Sequence, residues 1–98
     1  MCIGPVIVLE RAASVDDAIA RAQATRFGLQ CGIFTHDLRA IMKAWEGIEV
    51  GGLIHDDVPA FRVDLMPYGG VRDSGLGREG PRYAVEELTE PRILVLRR

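Results

Sequence analysis

The sequence predicts an α/β fold in which the elements follow one another as β-α-β-α-β-loop-α-β. Short apolar runs such as Val6-Ile7-Val8-Leu9 have the length and β-branched content of strands buried on both faces. Between these runs, apolar residues recur at intervals of three and four, which is the spacing of a helix with one apolar face. Because strands that alternate with helices pair in parallel through right-handed crossovers, the pattern indicates a parallel sheet with helices packed on it.

The first helix is predicted to begin after Ser14, which stands where an N-cap is expected. Asp17 follows three residues later, like the acidic residue of a capping box. The helix is expected to end near Phe27-Gly28. Its apolar face is formed by Val15, Ala18, Ile19 and Ala22.

The second strand is predicted in the short apolar run Cys31-Gly32-Ile33-Phe34-Thr35. Asp37 is expected to cap the next helix, and Gly47 to end it, since glycine readily takes the left-handed conformation found past helix ends. A third strand is expected around Leu53-Ile54. The apolar face of the second helix is formed by Leu38, Ile41, Met42 and Trp45.

Both periodicities disappear between Asp56 and Gly80, a segment that holds five of the eleven glycines. A loop longer than about 12 to 15 residues is usually functional or disordered, and the apolar residues here favour a structured loop docked on another surface. Pro81 opens a last short helix that Pro91 ends. The run Ile93-Leu94-Val95-Leu96 is the final predicted strand.

The composition is that of one globular domain. The 98 residues are 48% hydrophobic and 27% charged, which supports a folded core and argues against disorder. The net charge of −2 argues against nucleic acid and anionic membranes as partners. No apolar stretch approaches the roughly 20 residues that cross a bilayer, and no signal peptide is recognisable, so a cytoplasmic protein is expected.

One glycine motif, Gly75-Leu76-Gly77-Arg78-Glu79-Gly80, matches the dinucleotide-binding pattern G-x-G-x-x-G. That pattern binds a pyrophosphate when it directly follows a strand and opens a helix. Here residues 68–74 are predicted as loop, and no acidic residue closes a following strand. We therefore interpret the glycines as shaping the backbone and assign no cofactor-binding residue, while a small nucleotide binder that uses this loop remains a hypothesis.

The remaining candidates for chemistry are two possible nucleophiles and four possible metal ligands. They are Cys2 and Cys31, and His36, His55, Asp56 and Asp57. A catalytic thiol needs a partner that lowers its pKa, and neither cysteine has an evident one, so Cys31 is interpreted as a small core residue. The spacing of the histidines and acids does not support a metal site. No catalytic residue and no metal ligand is assigned.

The most distinctive motif is the stretch Met66-Pro67-Tyr68-Gly69-Gly70-Val71-Arg72-Asp73-Ser74-Gly75-Leu76-Gly77-Arg78-Glu79-Gly80. With Glu86-Glu87-Leu88-Thr89-Glu90-Pro91 after it, this stretch resembles the C-terminal end of the aldehyde dehydrogenase superfamily. Upstream, Gly4-Pro5-Val6 and Val50-Gly51-Gly52 fall in the family's order, so the resemblance covers essentially the whole chain. Phe61-Arg62-Val63-Asp64 is similar to the branch that acts on lactaldehyde, succinate semialdehyde and similar small polar aldehydes.

The resemblance implies part of an enzyme that oxidises an aldehyde to an acid. In this family a cysteine thiolate attacks the carbonyl, hydride passes to NAD or NADP, and a glutamate-activated water releases the acid. The nucleophile, the general base and the dinucleotide-binding domain precede the region that this chain resembles. Residues 1–98 are therefore expected to be a partial catalytic domain that alone is inactive and binds neither NAD nor NADP.

Several positions depart from the family pattern. Met1 and Ile3 correspond to a glutamate and a phenylalanine, so the family's contact with the nicotinamide-side ribose is missing. Asp56 replaces the usual asparagine and His55 an apolar residue. Leu65 stands where the branch often has a histidine near the substrate. These departures leave the identity of the aldehyde open, as well as the choice between NAD and NADP.

The resemblance also assigns a substrate site and a partner. Tyr68 matches an aromatic residue of the family's substrate tunnel, so Tyr68 and Leu65 are predicted to line the pocket, with ordinary loop packing as the alternative. Residues 92–98 match the strand that joins the family's oligomerisation sheet. The alternative function is therefore a non-catalytic oligomerisation or assembly module, which pairs with itself or with another dehydrogenase subunit through an exposed sheet edge.

Overall fold

A computed structural model describes residues 4–98 and shows three helices and four short strands within them. In chain order the elements are α1 (Val15–Gln23), β1 (Phe27–Gly28), β2 (Gln30–Ile33), α2 (Leu38–Gly47), β3 (Gly52–His55), β4 (Val71–Arg72) and α3 (Pro81–Leu88). The predicted α/β class is confirmed. None of the helices formed by residues 4–98 has the length and apolar character needed to span a bilayer.

Helix α1 begins as predicted, because Ser14 caps it. The Ser14 hydroxyl accepts a hydrogen bond from the Asp17 backbone N–H at 3.1 Å, and the Asp17 carboxylate accepts one from the Ala13 N–H at 2.8 Å. The helix ends at Gln23, earlier than predicted. The reason is a contact distant in sequence: the carbonyl oxygens of Gln23 and Thr25 both accept hydrogen bonds from the Arg72 guanidinium.

Helix α2 has the predicted cap and packs on α1. The Asp37 carboxylate accepts a hydrogen bond from the Arg39 N–H at 2.9 Å. Ala40 and Ala44 are the buried hydrophobic residues among those described, with 5% and 1% of their surface exposed. Small side chains let the two helices approach closely. A side chain at Gly47, the last residue of α2, would lie 2.7 Å from the Ile19 side chain.

Strands β2 and β3 pair in parallel, which confirms the predicted parallel pairing. The register aligns Gln30 with Gly52 and Ile33 with His55. A second pair was not predicted: β1 pairs antiparallel with β4, with Phe27 opposite Arg72. Two-residue strands carry no periodic signal, and β4 lies inside the segment whose pattern predicts a loop.

The predictions for the two terminal apolar runs are wrong for this chain in isolation. Among the described residues, neither residues 6–9 nor residues 93–96 form a strand. Their side chains are exposed rather than buried, with Leu9 at 91% and Ile93 at 89%. A strand exists through hydrogen bonds to a neighbouring strand, and no segment of residues 4–98 pairs with either run.

The described part of the chain is extended. Its radius of gyration is 18.3 Å, whereas a compact domain of this length has about 13 Å. The composition predicts a folded core, yet the structure forms only a small one around α1, α2 and the parallel pair. Most large apolar side chains outside that core have no cover within the described residues.

Candidate functional site

The glycine-rich loop between β3 and α3 is closed by a backbone bridge. The Tyr68 N–H donates to the Glu79 carbonyl at 3.1 Å, and the Glu79 N–H donates to the Tyr68 carbonyl at 2.6 Å. A second anchor joins the loop to β1, because the Ser74 hydroxyl accepts a hydrogen bond from the Gly28 N–H at 2.9 Å. Tyr68 is therefore held at the base of a loop whose two ends are joined to each other and whose middle is hydrogen-bonded to β1.

Two glycines in and beside the loop have no room for a side chain. A Cβ at Gly51 would overlap the carbonyl oxygen of Gly69. Gly77 has a φ of +75°, and a Cβ there would lie 2.7 Å from a carboxylate oxygen of Glu87 on α3. The same carboxylate accepts a hydrogen bond from the Arg78 N–H at 2.9 Å. The absence of a side chain at Gly77 thus lets the backbone of the motif approach α3 closely enough for the Arg78 N–H to donate to Glu87.

An open cavity of about 360 Å³ lies between this loop and α3. Its walls include Leu29, Tyr68, Ser74, Leu76, Arg78 and Glu87. The Arg78 guanidinium donates to the carbonyl oxygens of Gly70 and Gly77 at 2.9 and 2.7 Å, so its charge stabilises the loop. Leu65, the other residue predicted to line the substrate pocket, is 85% exposed and is not part of these walls. The structure therefore places Tyr68 at the cavity and Leu65 outside it.

Arg62 lies against Tyr68, a contact that was not predicted. The central guanidinium carbon of Arg62 is 4.6 Å from the centre of the Tyr68 ring, within the range of a cation–π interaction. A terminal nitrogen of the same group donates to the Glu79 carboxylate at 2.7 Å. Arg62 belongs to Phe61-Arg62-Val63-Asp64, the motif that resembles one branch of the family.

The loop does not fit the pyrophosphate of a dinucleotide. Such a site needs free backbone N–H groups at the start of a helix. Here the N–H of Arg78 is bonded to Glu87 and that of Glu79 to Tyr68, while Pro81 has none. The Glu87 carboxylate beside the loop would also repel an anion. These residues therefore give no support to the hypothesis of a small nucleotide binder.

Cys31 lies on β2, where it is partly buried. Burial raises the pKa of its thiol, which disfavours the thiolate that a nucleophile requires. Its surroundings are apolar: it lines an open cavity of about 320 Å³ together with Ile19, Ala22, Ala44 and Ile48. The interpretation of Cys31 as a packing residue agrees with this environment. Cys2 lies outside the described residues.

The histidine and acidic residues considered as metal ligands do not converge. His55 donates from Nε2 to the Thr35 carbonyl at 2.8 Å and lies 3.3 Å from the Asp56 carboxylate. Within residues 4–98 no group of three or more histidine, cysteine or acidic residues could hold a metal ion. His55 and Asp56 instead lie at the end of β3, where the His55 ring is hydrogen-bonded to the Thr35 carbonyl.

A parallel β2–β3 pair under two helices, followed by a glycine loop held by a third helix, is typical of part of a larger α/β enzyme domain. Comparison with known proteins identifies the protein family. The family model described as "Aldehyde dehydrogenase family" matches residues 2–94. The chain therefore belongs to the aldehyde dehydrogenase family.

Curated relatives match almost the whole chain. A 3-sulfolactaldehyde dehydrogenase of Priestia megaterium is 53% identical over 93 residues, which is 95% of this chain and 20% of that protein. A lactaldehyde dehydrogenase of Methanococcus maripaludis is 42% identical with the same coverage. The chain spans about one fifth of the length of these relatives.

Solved structures also match most of this chain and only a small part of their own length. The crystal structure of aldehyde dehydrogenase 21 from Physcomitrella patens, in complex with the reaction product succinate, matches with a TM-score of 0.89 and 47% identity. The match covers 96% of this chain and 20% of that one. Glyceraldehyde-3-phosphate dehydrogenase GapN from Methanocaldococcus jannaschii, complexed with NADP, matches with a TM-score of 0.71 and 47% identity over 74% of this chain and 16% of that one.

Proposed function

We propose that residues 1–98 form the C-terminal part of the catalytic domain of an NAD(P)-dependent aldehyde dehydrogenase, which oxidises a small aldehyde to an acid. The observation that carries this proposal is the loop from Tyr68 to Glu79, fixed by its backbone bridge and by α3. It belongs to a chain that superimposes over 96% of its length on an enzyme crystallised with an acid product. In this role the loop presents the Tyr68 ring to the substrate.

The substrate class follows from the chemistry of the relatives' compounds. 3-Sulfolactaldehyde carries a sulfonate, and succinate retains a second carboxylate besides the one that oxidation produces. We therefore propose an aldehyde of about three or four carbons that bears an acidic group. This is narrower than the small polar aldehydes to which the family resemblance points. Tyr68 is proposed to line its pocket, and Leu65 remains the second candidate from the sequence.

The chain alone is proposed to turn over no aldehyde and to need the rest of such an enzyme for activity. Cys31 has a raised pKa and lies among apolar side chains, so it does not supply an activated thiolate. NAD or NADP is proposed to bind to other parts of the assembled enzyme, since the loop amides are engaged. A cytoplasmic location remains a prediction.

A chimeric enzyme tests this function. The matching segment of the Priestia megaterium enzyme is replaced by residues 4–94 of this chain, and NAD(P)H formation is measured with 3-sulfolactaldehyde. We expect a folded chimera with measurable activity. A chimera that also carries Gly51→Val should lose that activity, because the new side chain overlaps the Gly69 carbonyl. A folded but inactive chimera, or turnover by the isolated 98-residue chain, would contradict the proposal.

A second candidate function is the non-catalytic assembly module. The exposed runs at residues 6–9 and 93–96 favour it, because unpaired apolar segments of strand length readily pair with other chains. In this function residues 92–98 act as the oligomerisation strand, with a second copy or another dehydrogenase subunit as partner. Sedimentation velocity at low and high concentration distinguishes the two. A monomer throughout the range argues against the module, and a defined dimer or tetramer supports it.

A further inference from the structure

Helix α2 has two apolar faces, and one of them lacks a partner among residues 4–98. Ala40 and Ala44 form the packed face, with 5% and 1% of their surface exposed. The larger side chains of Leu38, Met42 and Trp45 are 68%, 47% and 59% exposed. Successive helix residues are about 100° apart, so these three share one side of α2, roughly opposite the alanines. The apolar face that the sequence predicts is therefore the outer face of the helix.

Two opposite charges border this outer face. Arg39 and Glu46 are seven positions apart, which is close to two helical turns and places them on the same flank of α2. Both are exposed, and neither forms an ion pair with another of the residues that the structure describes. Lys43, by contrast, pairs with Asp16 of α1 at 2.9 Å. The charges of Arg39 and Glu46 are thus available to a partner.

The outer face is self-complementary around Met42. When two copies of α2 pack antiparallel about a twofold axis at Met42, Leu38 of each copy faces Trp45 of the other. The same axis brings Arg39 of each copy to Glu46 of the other, so the ion pair forms twice. The midpoints of both pairs lie about half a position from Met42. A parallel arrangement would instead set Arg39 against Arg39 and Glu46 against Glu46.

We propose that the outer face of α2 is a self-association surface, on which a second copy of this chain packs its own α2 antiparallel. The contact differs from the strand pairing of the assembly module, because it uses no residue of the terminal runs. It goes beyond the proposed function and does not depend on it. A helix of ten residues is about 15 Å long, so the buried area falls below the roughly 1,200 Å² of a standard interface and the dimer is weak.

The unmodified chain provides the first test, because Trp45 is its one tryptophan and lies on the outer face. We expect its fluorescence emission to shift to shorter wavelength as the chain is concentrated from about 10 µM to 1 mM, the range for a weak interface. Sedimentation equilibrium over the same range should show a monomer and a dimer. A monomer throughout would overturn the inference. A dimer without a shift in emission would also overturn it, and is the result expected for pairing through the terminal runs.

Charge reversal tests the antiparallel geometry. Arg39→Glu and Glu46→Arg each bring like charges together at both ends of the contact, and each should raise the dissociation constant about tenfold. A mixture of the two single variants should dimerise, because each supplies the charge that the other lacks. The double variant should recover the association of the unmodified chain. Both substitutions suit the helix dipole, so α2 should stay folded, which circular dichroism checks.

Val85 provides a matched control for the apolar part of the contact. It is 60% exposed in the middle of α3, away from the outer face of α2. Met42→Lys places two positive charges at the twofold axis and should abolish the dimer in this concentration range, whereas Val85→Lys should leave it unchanged. Equal weakening by the two lysine variants would overturn the inference. The same holds if the mixed single variants fail to associate.

Discussion

Asp17 shows how one side chain determines where helix α1 begins. Its carboxylate accepts hydrogen bonds from the Ala13 N–H at 2.8 Å and from the Arg21 side chain at 3.0 Å. The Ala13 bond, and after it the Arg21 bond, lowers the pKa of Asp17 below its ordinary value. A carboxyl group whose pKa is lower in the folded state stabilises that state when it is ionised. This stabilisation is present above the ordinary pKa and is lost as the pH falls through the lowered one.

We therefore predict that the first turn of α1 frays as the pH falls below about 4. Amide exchange or NMR chemical shifts of residues 15–18 measure the fraying. Asp17→Asn should loosen this turn already at neutral pH and reduce its response to acid. Asp16→Asn is the control, because it removes a carboxylate of the same turn, one that pairs with Lys43, and leaves the cap intact. An unchanged acid response in Asp17→Asn would contradict the prediction.

Among the elements, the two-residue strand β4 contacts several distant segments through the side chain of Arg72. Arg72 takes a φ of 56°. Its guanidinium donates to the Glu49 carboxylate at 2.9 and 2.6 Å, to the Gln23 carbonyl at 3.1 Å and to the Thr25 carbonyl at 2.7 Å. One side chain thus connects the glycine loop to the end of α1 and to the segment after α2.

We predict that Arg72→Ala destabilises the chain by about 1–3 kcal/mol, the range for a lost network that includes charged hydrogen bonds. The free energy of unfolding in urea measures this change. Arg82→Ala is the control: it removes an exposed pair with Glu86 within α3 and should cost much less, because exposed ion pairs contribute little to stability. Equal losses in the two variants would show that the Arg72 network contributes no more than a surface ion pair.

The elements that the sequence predicts correctly are those with signals close to them. Ser14 and Asp37 cap helices through residues two or three positions away. Pro81 opens α3. The end of α1 could not be predicted in the same way, because it depends on Arg72, which is 49 positions from Gln23. The β1–β4 pair was missed for the same reason.

At the scale of the whole molecule, the main feature is that residues 6–9 and 93–96 pair with no other strand among the described residues. The principal extents are 70 × 35 × 22 Å, long for a chain of this size. Side chains such as Ile7 and Leu96, each 85% exposed, would be buried in a compact domain. The apolar content of the sequence thus predicts a larger core than residues 4–98 build by themselves. This uncovered apolar surface agrees with a chain that spans about one fifth of the length of the relatives it matches.

We predict that the backbone N–H groups of residues 7–9 and 93–96 exchange with solvent nearly as fast as in an unfolded chain at low protein concentration. The N–H groups of β2 and β3 should be protected, because they belong to a parallel ladder. Hydrogen–deuterium exchange read by NMR measures both. Protection of the terminal runs that grows with concentration would favour the assembly module, and protection in a dilute monomer would contradict the structure.

At the candidate site, too, the sequence identifies one feature and misses another. Tyr68 is recognisable from its motif, since Met66-Pro67-Tyr68-Gly69-Gly70 is a local pattern. The contact of Arg62 with Tyr68 and Glu79 is not, because nothing in the spacing of these residues shows that a loop will close on itself. Leu65 is only three positions from Tyr68, yet its side chain is exposed and lies outside the cavity beside Tyr68.

The sequence by itself determined the α/β class, the starts of the helices, the parallel strands and the resemblance to aldehyde dehydrogenases. Each of these is indicated by patterns within short segments: helix caps, apolar runs and the glycine motif. Only the tertiary structure decided the Arg62 contact with Glu79, 17 positions away, the β1–β4 pair and the unpaired state of the terminal runs. These features need distant segments to meet, and whether they meet depends on how much apolar surface the whole chain can bury.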